Sequence, residues 1–146
     1  MVNFTKLAFM KIYIYLNFDG QCEAAFNFYK SVFNKNFEMI SHFKDMPDSK
    51  NIAEEHMGRV MHVSLPIGED GLLMGSDSMS GYGPPHKMGN NFSVSINLED
   101  KAEGERIFKA LSEGGNITMP MADTFWNAYF GTLVDKFGVN WMVSVE

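Results

Sequence analysis

The sequence predicts an α+β chain made of two βαβββ modules, residues 11–77 and 92–146, whose curved mixed sheets surround a cleft with the helices outside. Three observations predict this. The order strand, helix, three strands occurs twice. The second run echoes the first at an offset of 80, with Ile96 answering Leu16, Asn97 answering Asn17 and Asn116 answering Asn36. Between the runs, 78–91 is rich in Gly, Pro, Ser and Asn and reads as a flexible connection. A four-stranded sheet carrying one helix leaves its other face bare, and closing two such sheets together creates the kind of groove where ligands settle.

The first module opens with a strand over Lys11–Phe18, with Ile12, Ile14, Leu16 and Phe18 on one face and Tyr13, Tyr15 and Asn17 on the other. Both faces are apolar enough to predict cover on both sides. Asp19-Gly20 breaks the strand. Cys22, Ala25, Phe26, Tyr29, Val32 and Phe33 then recur at helical spacing until Asn34–Asn36. Phe37–Phe43 is a strand, and Lys44–Gly58 a polar loop with room for one helical turn. Arg59–Ile67 and Leu72–Ser76 are strands joined by a Gly68-Glu69-Asp70-Gly71 hairpin turn.

The second module repeats this. Phe92–Leu98 is a strand with Val94, Ile96 and Leu98 opposite Ser93, Ser95 and Asn97. Glu99-Asp100 leads into a helix with the stripe Ile107, Phe108 and Leu111, interrupted by Gly104 and stopped by Gly114-Gly115. Asn116–Met119, Phe125–Val134 and Val139–Val145 complete the strands. Val139, Trp141, Val143 and Val145 share a face of the last one.

Composition excludes several functions. The 146 residues carry 12 basic and 18 acidic side chains, a net charge of −6 without clustered Lys or Arg, which disfavours nucleic acid and anionic membranes. No apolar run approaches the ~20 residues of a membrane span. Cys22 is the one cysteine, so no internal disulfide forms and a reducing, cytoplasmic setting follows. Lys11 interrupts the short apolar patch Leu7–Met10, which argues against a signal peptide. Residues 1–10 read as an upstream extension, with Met10 as the natural start. Twelve Met and thirteen Phe suit either an irregular apolar cavity or an ordinary core.

The run Tyr15-Leu16-Asn17-Phe18-Asp19-Gly20 followed by Glu23-Ala24-Ala25-Phe26-Asn27-Phe28-Tyr29 resembles the opening of PhnB-like proteins. Val60-Met61-His62-Val63 and Leu72–Asp77 resemble the end of their first module. Asp123–Trp126, Tyr129-Phe130-Gly131 and Asp135–Trp141 resemble the end of their second. The resemblance spans Met10 to Glu146. It implies the glyoxalase-like fold of the vicinal oxygen chelate superfamily, and a homodimer in which modules complete each other's sites. The branch carries a demethylubiquinone methyltransferase-like label. The sequence lacks the Gly-rich strand-to-helix turn of nucleotide-binding folds, so methyl transfer is not expected.

Metal-using members of that superfamily draw His, Gln or Glu from the first and last strand of each module. Those strands offer Tyr13 and Tyr15, Leu72 and Met74, Ser93 and Ser95, and Trp141, Met142 and Ser144. Met74 and Met142 stand at or near the Glu positions, and neither hydroxyls nor thioethers suit a hard or borderline divalent ion. No metal or other cofactor is expected.

The remaining candidates each have two readings. His62, mid-strand, is a general base or ligand anchor, or a hydrogen-bonded core or interface histidine. Ser76 and Asp77 contact a ligand or cap the loop that follows. Trp126, Tyr129 and Trp141 line an aromatic pocket or fill the core. Ser93, Ser95 and Asn97 form a polar pocket floor or face solvent. Cys22 is expected to be buried and inert. The chain is thus expected to bind a small, partly apolar or aromatic molecule. Catalysis by the same fold, through acid–base chemistry at His62 or an unrecognised metal site, is the alternative.

Overall fold

The computed structural model describes residues 10–146; the proposed extension before Met10 lies outside them. The elements are β1 (Ile14–Phe18), α1 (Cys22–Phe33), β2 (Met39–His42), β3 (Val60–Ile67), β4 (Gly71–Asp77), β5 (Val94–Leu98), α2 (Lys101–Ser112), β6 (Asn116–Asp123), β7 (Tyr129–Val134) and β8 (Asn140–Val145). Three short 3-10 turns fill the polar loop between β2 and β3. The strands form two four-stranded sheets, ordered β1-β4-β3-β2 and β5-β8-β7-β6. In each, the first strand runs parallel to the last and the other neighbours are antiparallel. The expected repeat is present, and the chain has the expected two-sheet α+β architecture.

Boundaries shift where tertiary contact outweighs local pattern. β6 runs on to Asp123 with register irregularities, and Phe125–Ala128 forms the turn before β7 instead of its first residues. β1 begins at Ile14. Its Leu16 and Phe18 are buried, whereas Tyr13, Tyr15 and Asn17 stay exposed. The cover expected on both faces of this strand is therefore present on one.

The helices bury the stripes that their spacing predicts: Cys22, Ala25, Phe26, Tyr29 and Val32 on α1, and Ile107, Phe108 and Leu111 on α2. Asn34 closes α1 in the left-handed conformation, its N–H donating to the Lys30 and Ser31 carbonyls. Two glycines permit the close packing. A Cβ on Gly75 would lie 2.7 Å from the Phe26 ring, and one on Gly104 would lie 2.5 Å from a Val145 methyl. Gly104, unfavourable in isolation, lets α2 settle onto β8.

The helices cover one face of each sheet and also meet at the seam between modules. Arg106 of α2 donates to the Val32 carbonyl of α1 at 2.9 Å. Tyr29 packs edge-on against Trp141 with ring centroids 5.2 Å apart, and Phe28 packs on Phe137 at 5.9 Å. One core therefore runs through both modules. At its centre the buried Asp135 carboxylate accepts from Tyr29 Oη (2.5 Å), Trp141 Nε1 (2.8 Å), and the Phe137 and Val139 N–H groups (2.8 and 3.0 Å). Trp141 is fully buried. Its expected place in a pocket wall is corrected: its strand face meets the helices, and its indole N–H needs this internal acceptor.

Asp135→Ala should lower stability by about 3 kcal/mol or more, because it strands buried donors from both modules. Tyr29→Phe should cost less, and urea denaturation of the single and double variants should show strong non-additivity. Burial raises the Cys22 thiol, and burial with the Asp135 charge raises the Tyr29 phenol. The native state therefore holds protons that the unfolded chain releases, so stability should fall as pH rises past about 9. Denaturation midpoints independent of pH in that range would contradict this.

Candidate functional site

The sheet faces turned away from the helices carry the polar strand residues. On the first sheet, register places Asn17 beside Ser76 and Ser41 beside His62. Because Val63 pairs with Gly75, His62 and Ser76 are neighbours too. A polar row thus crosses all strands: Asn17, Ser76, His62, Ser41. The Ser41 hydroxyl is buried without a partner among the described residues. Tyr15, on the adjoining row with Met74 and Ser64, leans over this row. Its hydroxyl lies 3.2 Å from His62 Nδ1 and its ring stacks on the imidazole at 5.7 Å. If the phenol donates to Nδ1, the neutral imidazole carries its proton on Nε2.

Tyr15, Asn17 and Ser76 also wall a cavity of about 490 Å³ between the modules. Its first-module side adds Leu16 and Phe43, and its second-module side is the β7–β8 turn with Val139 and Asn140. The connection from Ser78 to Phe92 covers it, contributing Met79, Tyr82, Pro84, Pro85, His86, Lys87 and Met88. Gly81 and Gly83 have φ of +88° and +81°, which let this segment turn back. Arg59 anchors its start, donating at 2.8 Å to both the Ser78 carbonyl and Asp19. That hydrogen bond holds the Asp19 carboxyl below the usual carboxylate range. Part of the expected cleft is filled by helices and rings; open space remains where the connection crosses and in a second groove of about 330 Å³ between β1, β4 and β5.

The other predicted residues scatter. Asp77 reaches the cavity wall, but its buried carboxylate is turned inward, accepting from the Gly20, Cys22 and Val60 N–H groups at 2.8, 3.0 and 2.9 Å. Its reading as a ligand contact is corrected: Asp77 staples the β1–α1 turn to β3. Met74 and Met142 lie on the helix-free faces of different sheets. Ser95 lines a separate apolar groove between β1 and β5, and Ser93 is exposed ahead of β5. Tyr129 donates to Glu105 of α2 at 2.6 Å under the Lys101 ammonium, away from the cavity. The Glu105 hydrogen bond raises its pKa. Trp126 is half-exposed in the β6–β7 turn, edge-on to the exposed Phe125. Sequence reasoning missed Tyr15, Asn17, Asn140 and Lys87 as lining residues. The alternation of β1 marked Tyr15 and Asn17 as sharing a face, but nothing local brings the connection over them.

The residues do not fit a chelated divalent metal. Met74 neighbours a phenol and a hydroxyl, Met142 neighbours Ser95 and Thr132, and His62 is the lone imidazole on its face. Among the described residues, no group of three or more His, Cys, Asp and Glu side chains is placed to hold an ion. No helix there is long and apolar enough to cross a membrane.

Paired βαβββ modules with helices on one sheet face define a glyoxalase-like protein. A glyoxalase/bleomycin resistance/dioxygenase family enzyme of Burkholderia phytofirmans shares this fold at 14% identity, with a TM-score of 0.58 over 90% of this chain and 95% of that one. The family model described as 3-demethylubiquinone-9 3-methyltransferase matches residues 10–144, and the chain belongs to that PhnB-like family. Protein YjdN of Escherichia coli is 31% identical over 140 residues, covering 90% of this chain and 92% of YjdN. The structure of PA1353 from Pseudomonas aeruginosa is 39% identical with a TM-score of 0.83, covering 94% of this chain and 98% of that one. The PhnB protein of Bacillus cereus is 27% identical with a TM-score of 0.75, covering 94% of this chain and all of that one (100%).

Acrylamide should quench Trp126 and leave Trp141 dark to collision, so Trp126→Phe should yield blue-shifted emission with little quenching. Emission that stays readily quenched in that variant would place Trp141 outside the core.

Proposed function

We propose that the chain binds a small, partly apolar or aromatic molecule, without a metal, in the cavity beneath the 78–91 connection. The cavity's lining carries this reading: Asn17, Asn140 and Ser76 supply amides and a hydroxyl beside the apolar Leu16, Phe43, Met79 and Phe92. Methyl transfer is not assigned. The β1–α1 turn has the single glycine Gly20, and its Gly20 and Cys22 N–H groups are already given to Asp77. The single buried Cys22 fits a cytoplasmic setting. Ser76→Phe should fill the space and abolish the thermal stabilisation given by aromatic metabolites in a screen. Unchanged stabilisation would place binding elsewhere.

A second reading has its own observation, the Tyr15–His62 pair. Tyr15 borders the cavity and orients His62, which is not itself among the lining residues, so a molecule reaching past Tyr15 would exchange a proton with the imidazole. Once a turnover assay exists, His62→Ala should lower the rate about 100-fold or more, and Tyr15→Phe less. A full rate in His62→Ala would remove this role.

The chain is also proposed to pair with itself. Ile117, Met119, Phe125 and Trp126 present apolar surface on the second module, as do Tyr13 and Ile14 on the first. Light scattering should give twice the chain mass, and a monomer at micromolar concentration would contradict it.

A further inference from the structure

We infer that the helix-free face of the first sheet holds a site for a soft monovalent ion, Cu(I), ligated by the thioethers of Met39 and Met74 and by Nε2 of His62. Hard divalent ions find no cluster of carboxylates and imidazoles among the described residues, but two thioethers and an imidazole are ligands that a soft ion prefers. Register brings the three together. Ser64 of β3 pairs with Met39 of β2 on one side and with Met74 of β4 on the other. His62 lies two residues before Ser64 and so shares its face. Met39 and Met74 are two strand spacings apart, roughly 10 Å between their Cα atoms, with only the small Ser64 between them. Three rotatable bonds let each thioether lean over Ser64 toward the other. Ser64 is 2% exposed although its face carries no helix. Side chains around it therefore supply the cover, and Met39 and Met74 are its direct cross-strand neighbours.

Tyr15 fixes the imidazole, with its hydroxyl 3.2 Å from Nδ1 and its ring stacked on the imidazole. When Nδ1–H donates to the phenol oxygen, Nε2 presents a lone pair, as in metal-ligating histidines oriented by a hydrogen bond. The charges favour a cation. Neither the row Tyr15, Met74, Ser64, Met39 nor the adjoining row through His62 contains Lys or Arg, and the Glu38 carboxylate comes within 3.5 Å of Ser64 Oγ. The second module supplies an internal comparison. There Met119 and Met142 flank Thr132 in the same way, but Phe130 stands where the first module has His62. A single ion per chain is therefore expected. None of Met39, Met74 and His62 lines the cavity under the 78–91 connection, so this inference is independent of that reading.

The test uses the full chain with carbon-13 methionine methyls, titrated with Cu(I) under reducing conditions and with Ag(I) as an air-stable stand-in. Both ions should shift the Met39 and Met74 methyl signals, saturating at one ion per chain, and leave those of Met119 and Met142 in place. Zn(II) should shift none of them. In competition with bicinchoninate, Met39→Leu, Met74→Leu and His62→Gln should each weaken Cu(I) binding about tenfold or more, and Tyr15→Phe about tenfold. The Met→Leu changes keep side-chain volume and should preserve the fold. Met119→Leu and Met142→Leu should leave the affinity unchanged. Cu(I) bound while the Met39 and Met74 methyls stay put would place the ion elsewhere, on Cys22 for example, and overturn the assignment. Absence of binding, or wild-type affinity in both Met39→Leu and Met74→Leu, would overturn it equally.

Discussion

The Asp135 carboxylate holds the two modules in one arrangement. A charge this deeply buried is tolerated because four donors surround it, and they come from both halves of the chain. Two of them are N–H groups of its own β7–β8 turn. The others are the indole of Trp141 and the phenol of Tyr29, more than a hundred residues away in sequence. Such an interaction has little tolerance for sliding, because a small displacement leaves a buried oxygen or hydroxyl unpaired. It sets where α1 lies on the second module, and hence where the β7–β8 turn closes the cavity.

Asp77 plays a related part inside the first module. Its carboxylate gathers the N–H groups of Gly20, Cys22 and Val60, tying the end of β4 to the start of α1 and the start of β3. The carboxylate keeps its charge, but its oxygens face these backbone N–H groups rather than the cavity.

Much of this fold was legible in the residues. The apolar stripe of α1 and the alternation of β8 specify their buried faces directly, and the repeated element order implies paired modules. The site was less legible. Trp141 and Trp126 look alike in sequence, each an aromatic near a strand, yet one is sealed against α1 and the other stands in a turn. Asp77 and Ser76 are adjacent, but strand alternation sends one carboxylate inward and leaves one hydroxyl on the cavity side. Tyr129 reads as a pocket aromatic and instead bonds to α2.

By itself the sequence determined the elements, their order and the faces they bury, because spacing along one chain dictates which side chains share a side. It also determined that the last strand of each module carries Met74 and Met142 rather than His, Asp or Glu, since ligand chemistry is a property of residue type. Only the tertiary structure decided which part of the seam is filled, that the 78–91 connection covers a cavity, and that Tyr15 meets His62. Those contacts join residues tens of positions apart, and their geometry depends on how the helices pack at the seam, which local pattern does not encode.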